Sequence, residues 1–112
     1  MIMLTHSMEF KLSGHSDMES EFTRFADALI DLEASVPGML DSSVWMDAKQ
    51  RKLGVTITVE DQDQARAESL AFSCIMTAVH VAGGRAVEIP SSEPEQIPWE
   101  EVAAARQSEL VG

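Results

Sequence analysis

The residues of this chain that could do chemistry are few, and their spacing forms no catalytic or metal-binding motif. His6, His15 and His80 show no spacing of metal ligands. His6 falls on the core-facing side of an alternating strand, which favours a hydrogen-bonded core histidine over a ligand. The single cysteine, Cys74, excludes an internal disulfide, and its place on an apolar helix face favours a buried structural thiol. We therefore expect no catalytic residue, no metal and no cofactor.

Three acids, Glu60, Asp61 and Asp63, follow a predicted strand and are the one candidate carboxylate cluster. They could bind a cation, but their spacing also suits the start of a helix, where acids favour the helix dipole. We favour the helix start. The segment Ser13-Gly14-His15-Ser16 has one glycine and no lysine, so it does not resemble a phosphate-binding loop.

The charge of the chain limits its partners. The 112 residues carry a formal net charge of −11, which repels phosphate and argues against direct nucleic-acid binding. Domains that stack bases on a sheet place aromatics on the two central strands, where this chain has Thr, Ser and Glu. No stretch approaches the ~20 apolar residues that span a bilayer. The apolar start Met1-Ile-Met-Leu4 is short and lacks a basic region, so we expect it not to be a signal peptide. We expect a cytoplasmic protein that contacts neither nucleic acid nor membrane.

The first half of the chain predicts a strand, a helix and a second strand. Apolar and polar residues alternate from Leu4 to Leu12, as on a half-buried strand. Ser16 and Glu19 form a capping box, and apolar residues then recur at steps of three and four, which predicts a helix near 16–36. The apolar face of that helix consists of Met18, Phe22, Phe25, Leu29, Leu32 and Val36.

The second half repeats the order. A strand at 40–46 and a strand at 53–59 should pair as a hairpin, a helix near 63–82 follows, and 86–89 predicts a last strand. The resulting β-α-β-β-α-β order predicts an α+β, ferredoxin-like sandwich with two helices on one face of a four-stranded antiparallel sheet in the order 4-1-3-2. We assign residues 1–90 to this domain. Residues 91–112 read as an acidic linker and a short C-terminal helix from Trp99 to Leu110.

Apolar residues outside the predicted core mark candidate contact surfaces. Phe72 and Met76 widen the apolar arc of the second helix, and His80 follows one turn later. Trp45 falls on the open sheet face, where a large ring favours burial, and Trp99 in the tail could cover it. Trp45, Phe72, Met76, His80 and Trp99 are therefore our candidates for contact with a second copy or another protein. Scattered surface apolar residues are the alternative interpretation.

Several segments resemble small ferredoxin-like proteins of actinobacteria and their phages. They are Val55-Thr-Ile-Thr-Val-Glu60, Asp61-Gln-Asp-Gln-Ala65 and Ala78-Val-His-Val-Ala-Gly83, within a resemblance that covers residues 5–90. Several such proteins continue past a Leu-Val-Gly, here Leu110-Val111-Gly112, into a helix-turn-helix domain. The resemblance thus implies an N-terminal module without a DNA-binding half, and no catalytic residue can be transferred.

The segment Pro37-Gly38-Met39-Leu40, with the strands that end in Glu60, is also similar to antibiotic-biosynthesis-type monooxygenases. That resemblance implies a sheet-to-sheet dimer around a pocket, in which Trp45 would be the one strong candidate residue. Two functional hypotheses follow. The first is a non-enzymatic protein-interaction or regulatory module, encoded by a phage or an actinobacterium, that acts through protein contacts as a homodimer or adaptor; the second is a small cofactor-independent enzyme. A deep pocket beside Trp45 and His6 would favour the enzyme.

Overall fold

The computed structural model describes residues 1–12, 17–82, 99–102 and 106–111. The strands are β1 (Ile2–Leu12), β2 (Met39–Asp47), β3 (Lys52–Asp61), β4 (Trp99–Glu101) and β5 (Gln107–Val111), and the helices are α1 (Met18–Ser35) and α2 (Gln64–Ala82). The two helices pack on one face of the antiparallel sheet, which confirms the predicted ferredoxin-like fold. No helix in the described ranges is both long and apolar enough to cross a membrane.

The sheet has the order β2-β3-β1, as predicted, with the tail strands on the far side of β1. Residues Ile2 to Lys11 pair with Asp61 to Lys52, and β2 and β3 form the expected hairpin. The Asp47 carboxylate accepts backbone N–H groups of Lys49 and Gln50, which fixes the hairpin turn. The register of β2 with β3 is therefore set locally by this turn, whereas that of β1 with β3 depends on pairing between segments far apart in the sequence.

Helix α1 begins one residue later than the predicted capping box implies. Asp17 is the N-cap, and its side chain accepts the backbone N–H groups of Glu19 and Ser20; the predicted cap, Ser16, lies outside the described residues. The short Asp carboxylate satisfies helix donors that lack intrahelical acceptors. The apolar face is largely as predicted, with Phe25 and Leu29 fully buried.

Helix α2 begins after Asp63, as predicted. The Asp63 carboxylate accepts the backbone N–H of Arg66 at 2.8 Å, so this acid serves the start of the helix. Cys74 is buried, and burial raises the pKa of its thiol, as suits a structural residue. The buried face of the helix comprises Ala67, Ala71, Cys74, Ile75, Ala78, Val79 and Ala82.

The turn between α1 and β2 depends on Gly38. Its φ of +93° is open to glycine but strained for other residues, and a Cβ atom there would lie 2.6 Å from the Glu60 carbonyl oxygen. The Gly38 carbonyl accepts the Glu60 N–H at 2.8 Å. The predicted helix stop at Pro37-Gly38 is therefore also the point where β2 is fixed beside the end of β3.

The prediction of a short helix from Trp99 to Leu110 is wrong. Residues 99–101 and 107–111 are strands that pair antiparallel with β1. A helix this short is marginal in water, whereas the edge of β1 offers unpaired backbone groups. The predicted strand at 86–89 lies outside the described residues, and the tail strands occupy the sheet position beside β1.

Candidate functional site

The sheet face opposite the helices is the first candidate surface. Its side chains lie in rows across the strands, because each register pair places two residues of the same face side by side. The central row joins Ser43, Thr56, Ser7 and Gln107, and the next joins Asp41, Thr58, Thr5 and Glu109. This confirms the polar, Thr-lined face expected from sequence.

Hydroxyl groups at the centre of this face satisfy one another. The Ser7 and Thr56 hydroxyl oxygens lie 2.8 Å apart, and those of Thr5 and Thr58 lie 3.4 Å apart. A hydroxyl that already has a partner costs less free energy to remove from water than an unpaired one. The centre of the open face can therefore be covered by another surface without leaving these groups unsatisfied.

Trp45 is the largest exposed apolar side chain on this open face, which also carries Met3 and Val111 in the row of Glu60. It is register partner of Gly54, and its indole lies against the Gly54 backbone so closely that a Cβ atom at position 54 would overlap the ring. Glycine thus lets the ring lie flat on the sheet. The side chain remains 42% exposed. A flat, accessible indole beside paired hydroxyls is a suitable anchor for a protein contact.

A second cluster lies on the helix side of the sheet, where β5 meets α2. His6 is buried, and its Nδ1 atom forms a hydrogen bond with the Ser108 hydroxyl of β5. The Arg106 guanidinium lies 4.5 Å from the centre of the Phe72 ring and 3.5 Å from the Glu101 carboxylate. An open groove of about 380 Å³ here is lined by Ala65, Glu68, Ser69, Phe72 and Arg106.

His6 is the titrating group of this cluster. Burial lowers its pKa, the Arg106 guanidinium lowers it further, and Glu68 and Glu101 act in the opposite direction. Within the described part of the chain its Nε2 atom is buried and has no hydrogen-bond partner. The folded protein therefore favours the neutral ring, as expected for a core histidine.

The pH dependence of stability should report this histidine. In the unfolded chain His6 has a pKa of about 6.5, and folding lowers it. Below about pH 6.5 the unfolded chain therefore binds a proton more readily than the folded protein. The contribution of neutral His6 to the free energy of unfolding is complete above that pH and is lost as the pH falls below it. We expect the melting temperature to fall between about pH 7 and pH 5, and His6→Asn to flatten this slope. His80→Asn, at an exposed histidine, is the control. An unchanged slope in His6→Asn would contradict the assignment.

The structure separates the five contact candidates. Trp45 is on the open face, whereas Phe72 and Met76 are half-buried against the core and His80 is exposed. Trp99 does not cover Trp45: it is buried on the helix side, with ring centres 5.2 Å from Phe25 and 5.8 Å from Phe10.

Sequence reasoning missed Ser108 and Arg106 as site residues. Both were assigned to a helix, and only the pairing of β5 with β1 brings Ser108 to His6. Residues 106–109 are all polar, so no apolar–polar alternation marks this strand in the sequence.

No protein-family model and no curated protein matches the chain. Among solved structures it is similar to a structural-genomics protein named YJCS, at 12% identity and a TM-score of 0.65 over 98% of this chain and 99% of that one. It is also similar to a dimeric ferredoxin-like protein of unknown function from Thermobifida fusca, at 13% identity and a TM-score of 0.52 over 98% and 90%. Both establish the shared fold.

A cofactor-independent oxygenase, SnoaB from Streptomyces nogalater, is similar at 18% identity and a TM-score of 0.46 over 99% of this chain and 90% of that one. We transfer no residue role from it, because neither value supports one.

Proposed function

We propose that this chain is a non-enzymatic homodimeric module that acts through protein contacts, in the cytoplasm of a bacterial or phage-infected actinobacterial host. Two copies meet through the open sheet face. The observation that carries the proposal is the exposed Trp45 indole, which lies flat on Gly54 beside paired hydroxyls. The dimeric state named for the Thermobifida fusca protein supports it.

The size of the open face suits a dimer. Four strands about 4.8 Å apart and about nine residues long, at about 3.3 Å per residue, project an area of about 550 Å². The corrugated accessible surface is larger than this projection. Two such faces therefore approach the ~1,200 Å² buried by the smallest stable protein interfaces.

The helix edge is the weaker of the two predicted contact surfaces. The Arg106 guanidinium covers the Phe72 ring, and Met76 packs against the core. An apolar side chain that already has cover gains little from a second copy. Trp45 has the larger ring and is exposed. Among the described residues, neither an aromatic ring nor a cationic side chain packs against its indole.

The enzyme hypothesis required a pocket beside both Trp45 and His6. Their side chains lie on opposite faces of the sheet, since Trp45 is register partner of Gly54 on the open face and His6 is buried under α2. One pocket of a single chain cannot be lined by both. This geometry favours the contact module over the enzyme.

Light scattering tests the proposal. The monomer mass is 12.3 kDa, and we expect the native chain to show about twice that at ~100 μM, with Trp45→Ser shifting it to the monomer. Val81→Ser, which removes a 52% exposed apolar side chain on α2, should leave the dimer intact. A native monomer would overturn the proposal, and a dimer lost on Met76→Glu but kept in Trp45→Ser would assign the helix edge instead.

A further inference from the structure

We propose that the two copies meet with their β3 strands antiparallel, so that Lys52 of each copy faces Glu60 of the other. This inference rests on the proposed dimer and adds its orientation. The partner is a second copy of this chain. Trp45 contributes an apolar contact, and the charges of the two open faces are complementary in only one of two arrangements.

The basic side chains of the open face lie at one of its two ends. Asp41, Glu60 and Glu109 lie toward the end where β3 finishes. Lys11 and Lys52 are register partners at the opposite end, where β3 begins. Within the described residues, the end near Glu60 carries no basic side chain on this face, and the two lysines are the bases of the face.

Lys52 is available to a partner. Among the side chains that the structure describes, Lys52 forms no ion pair. Asp47 is the register partner of Lys52, but its carboxylate accepts the N–H groups of the hairpin turn. Two more acids lie toward this end: Glu100, the register partner of Lys11 in the same row, and Glu9, one row nearer the centre beside Gly54.

The geometry of β3 makes the pairing symmetric. Lys52 and Glu60 are both on the open face and equally distant from Thr56, about 13 Å on either side at about 3.3 Å per residue. A two-fold axis that crosses the strands at Thr56 therefore exchanges the two ends. It brings Lys52 onto Glu60 twice, as an isologous interface requires.

The other two-fold arrangement is unfavourable. An axis parallel to the strands would place the end with three carboxylates and no base against itself, and the mixed row of lysines and acids against itself. Like charges that face each other across an interface cost affinity and exclude that arrangement, even where the net gain from exposed opposite charges is modest. Charge therefore selects the orientation, and the same axis places Trp45 of each copy across from the row of Asp41 in the other.

Charge reversal tests the orientation. Lys52→Glu alone and Glu60→Lys alone should each raise the dimer dissociation constant by about tenfold or more, because each creates two like-charge contacts. An equimolar mixture of the two variants should form heterodimers of nearly native affinity. The doubly substituted chain, Lys52→Glu with Glu60→Lys, should dimerise like the native protein. Sedimentation analysis at low and high salt measures all four, and high salt should reduce the differences.

The controls separate the two proposals. Lys49→Glu in the exposed hairpin turn and Asp27→Lys on exposed α1 make the same charge changes away from the face, and should leave the dissociation constant unchanged. Single variants that dimerise like these controls would overturn the orientation while leaving the dimer standing. A native monomer would instead overturn the dimer itself. Melting curves establish that each variant is folded.

Discussion

Replacing Phe25 by alanine should lower the free energy of unfolding by about 3–5 kcal/mol. Phe25 is fully buried between α1 and the sheet, and its ring meets that of Trp99 edge-on, with centres 5.2 Å apart. The substitution removes the free energy gained by burying the ring away from water, together with its packing contacts. It also leaves a cavity that the surrounding strands cannot close. Urea denaturation at one fixed protein concentration measures the loss.

Ile30→Ala is the matched control for this experiment. It shortens an apolar side chain on the same helix, but one that is 59% exposed, so we expect a change within about 0.5 kcal/mol. A native midpoint for Phe25→Ala would show that the assigned core is wrong. Fixed concentration matters because dimerisation adds to apparent stability by mass action.

Replacing Trp99 by alanine should cost a similar ~3–5 kcal/mol and should also release the tail. Trp99 is 6% exposed, whereas every residue of β5 is exposed. The tail is therefore held by this one large buried side chain, by backbone pairing with β1, by the His6–Ser108 hydrogen bond and by the contact of Arg106 with Phe72. Loss of the ring removes the main apolar contribution.

Hydrogen exchange distinguishes release of the tail from general destabilisation. Amides of residues 107–111 should exchange much faster in Trp99→Ala, while those of α1 change only as far as global stability does. Leu110→Ala, at a 55% exposed position of β5, should leave the exchange of the tail nearly unchanged. Equal protection of the tail in Trp99→Ala and the native chain would refute the role of Trp99 as anchor.

The central fold could be predicted from sequence because its signals are local. The alternation in β1 and β3 and the three-and-four spacing in α1 and α2 directly report which side of each element is buried. His6 was placed on the core side by the same alternation, and Asp63 at the start of α2 by its residue type. Each of these inferences needs only neighbours within a few positions.

The candidate sites were predictable only in part, because they depend on register and on long-range pairing. Trp45 could be assigned to the open face, but its contact with Gly54 follows from the exact pairing of β2 with β3. The Lys52–Thr56–Glu60 symmetry could be counted along one strand. The residues beside these charges on the neighbouring strands depend on the pairing of β1 with β3 and with β5.

The sequence by itself determined the order of elements, the core face of each and the acidic, Thr-lined character of the open face, because hydrophobic periodicity is a local property. Only the tertiary structure determined the conformation of the tail. Its residues fit a short helix, yet the unpaired backbone edge of β1 and the space between Phe10 and Phe25 offered hydrogen bonds and apolar burial that an isolated helix lacks. That choice buried Trp99, left Trp45 exposed and brought Ser108 to His6.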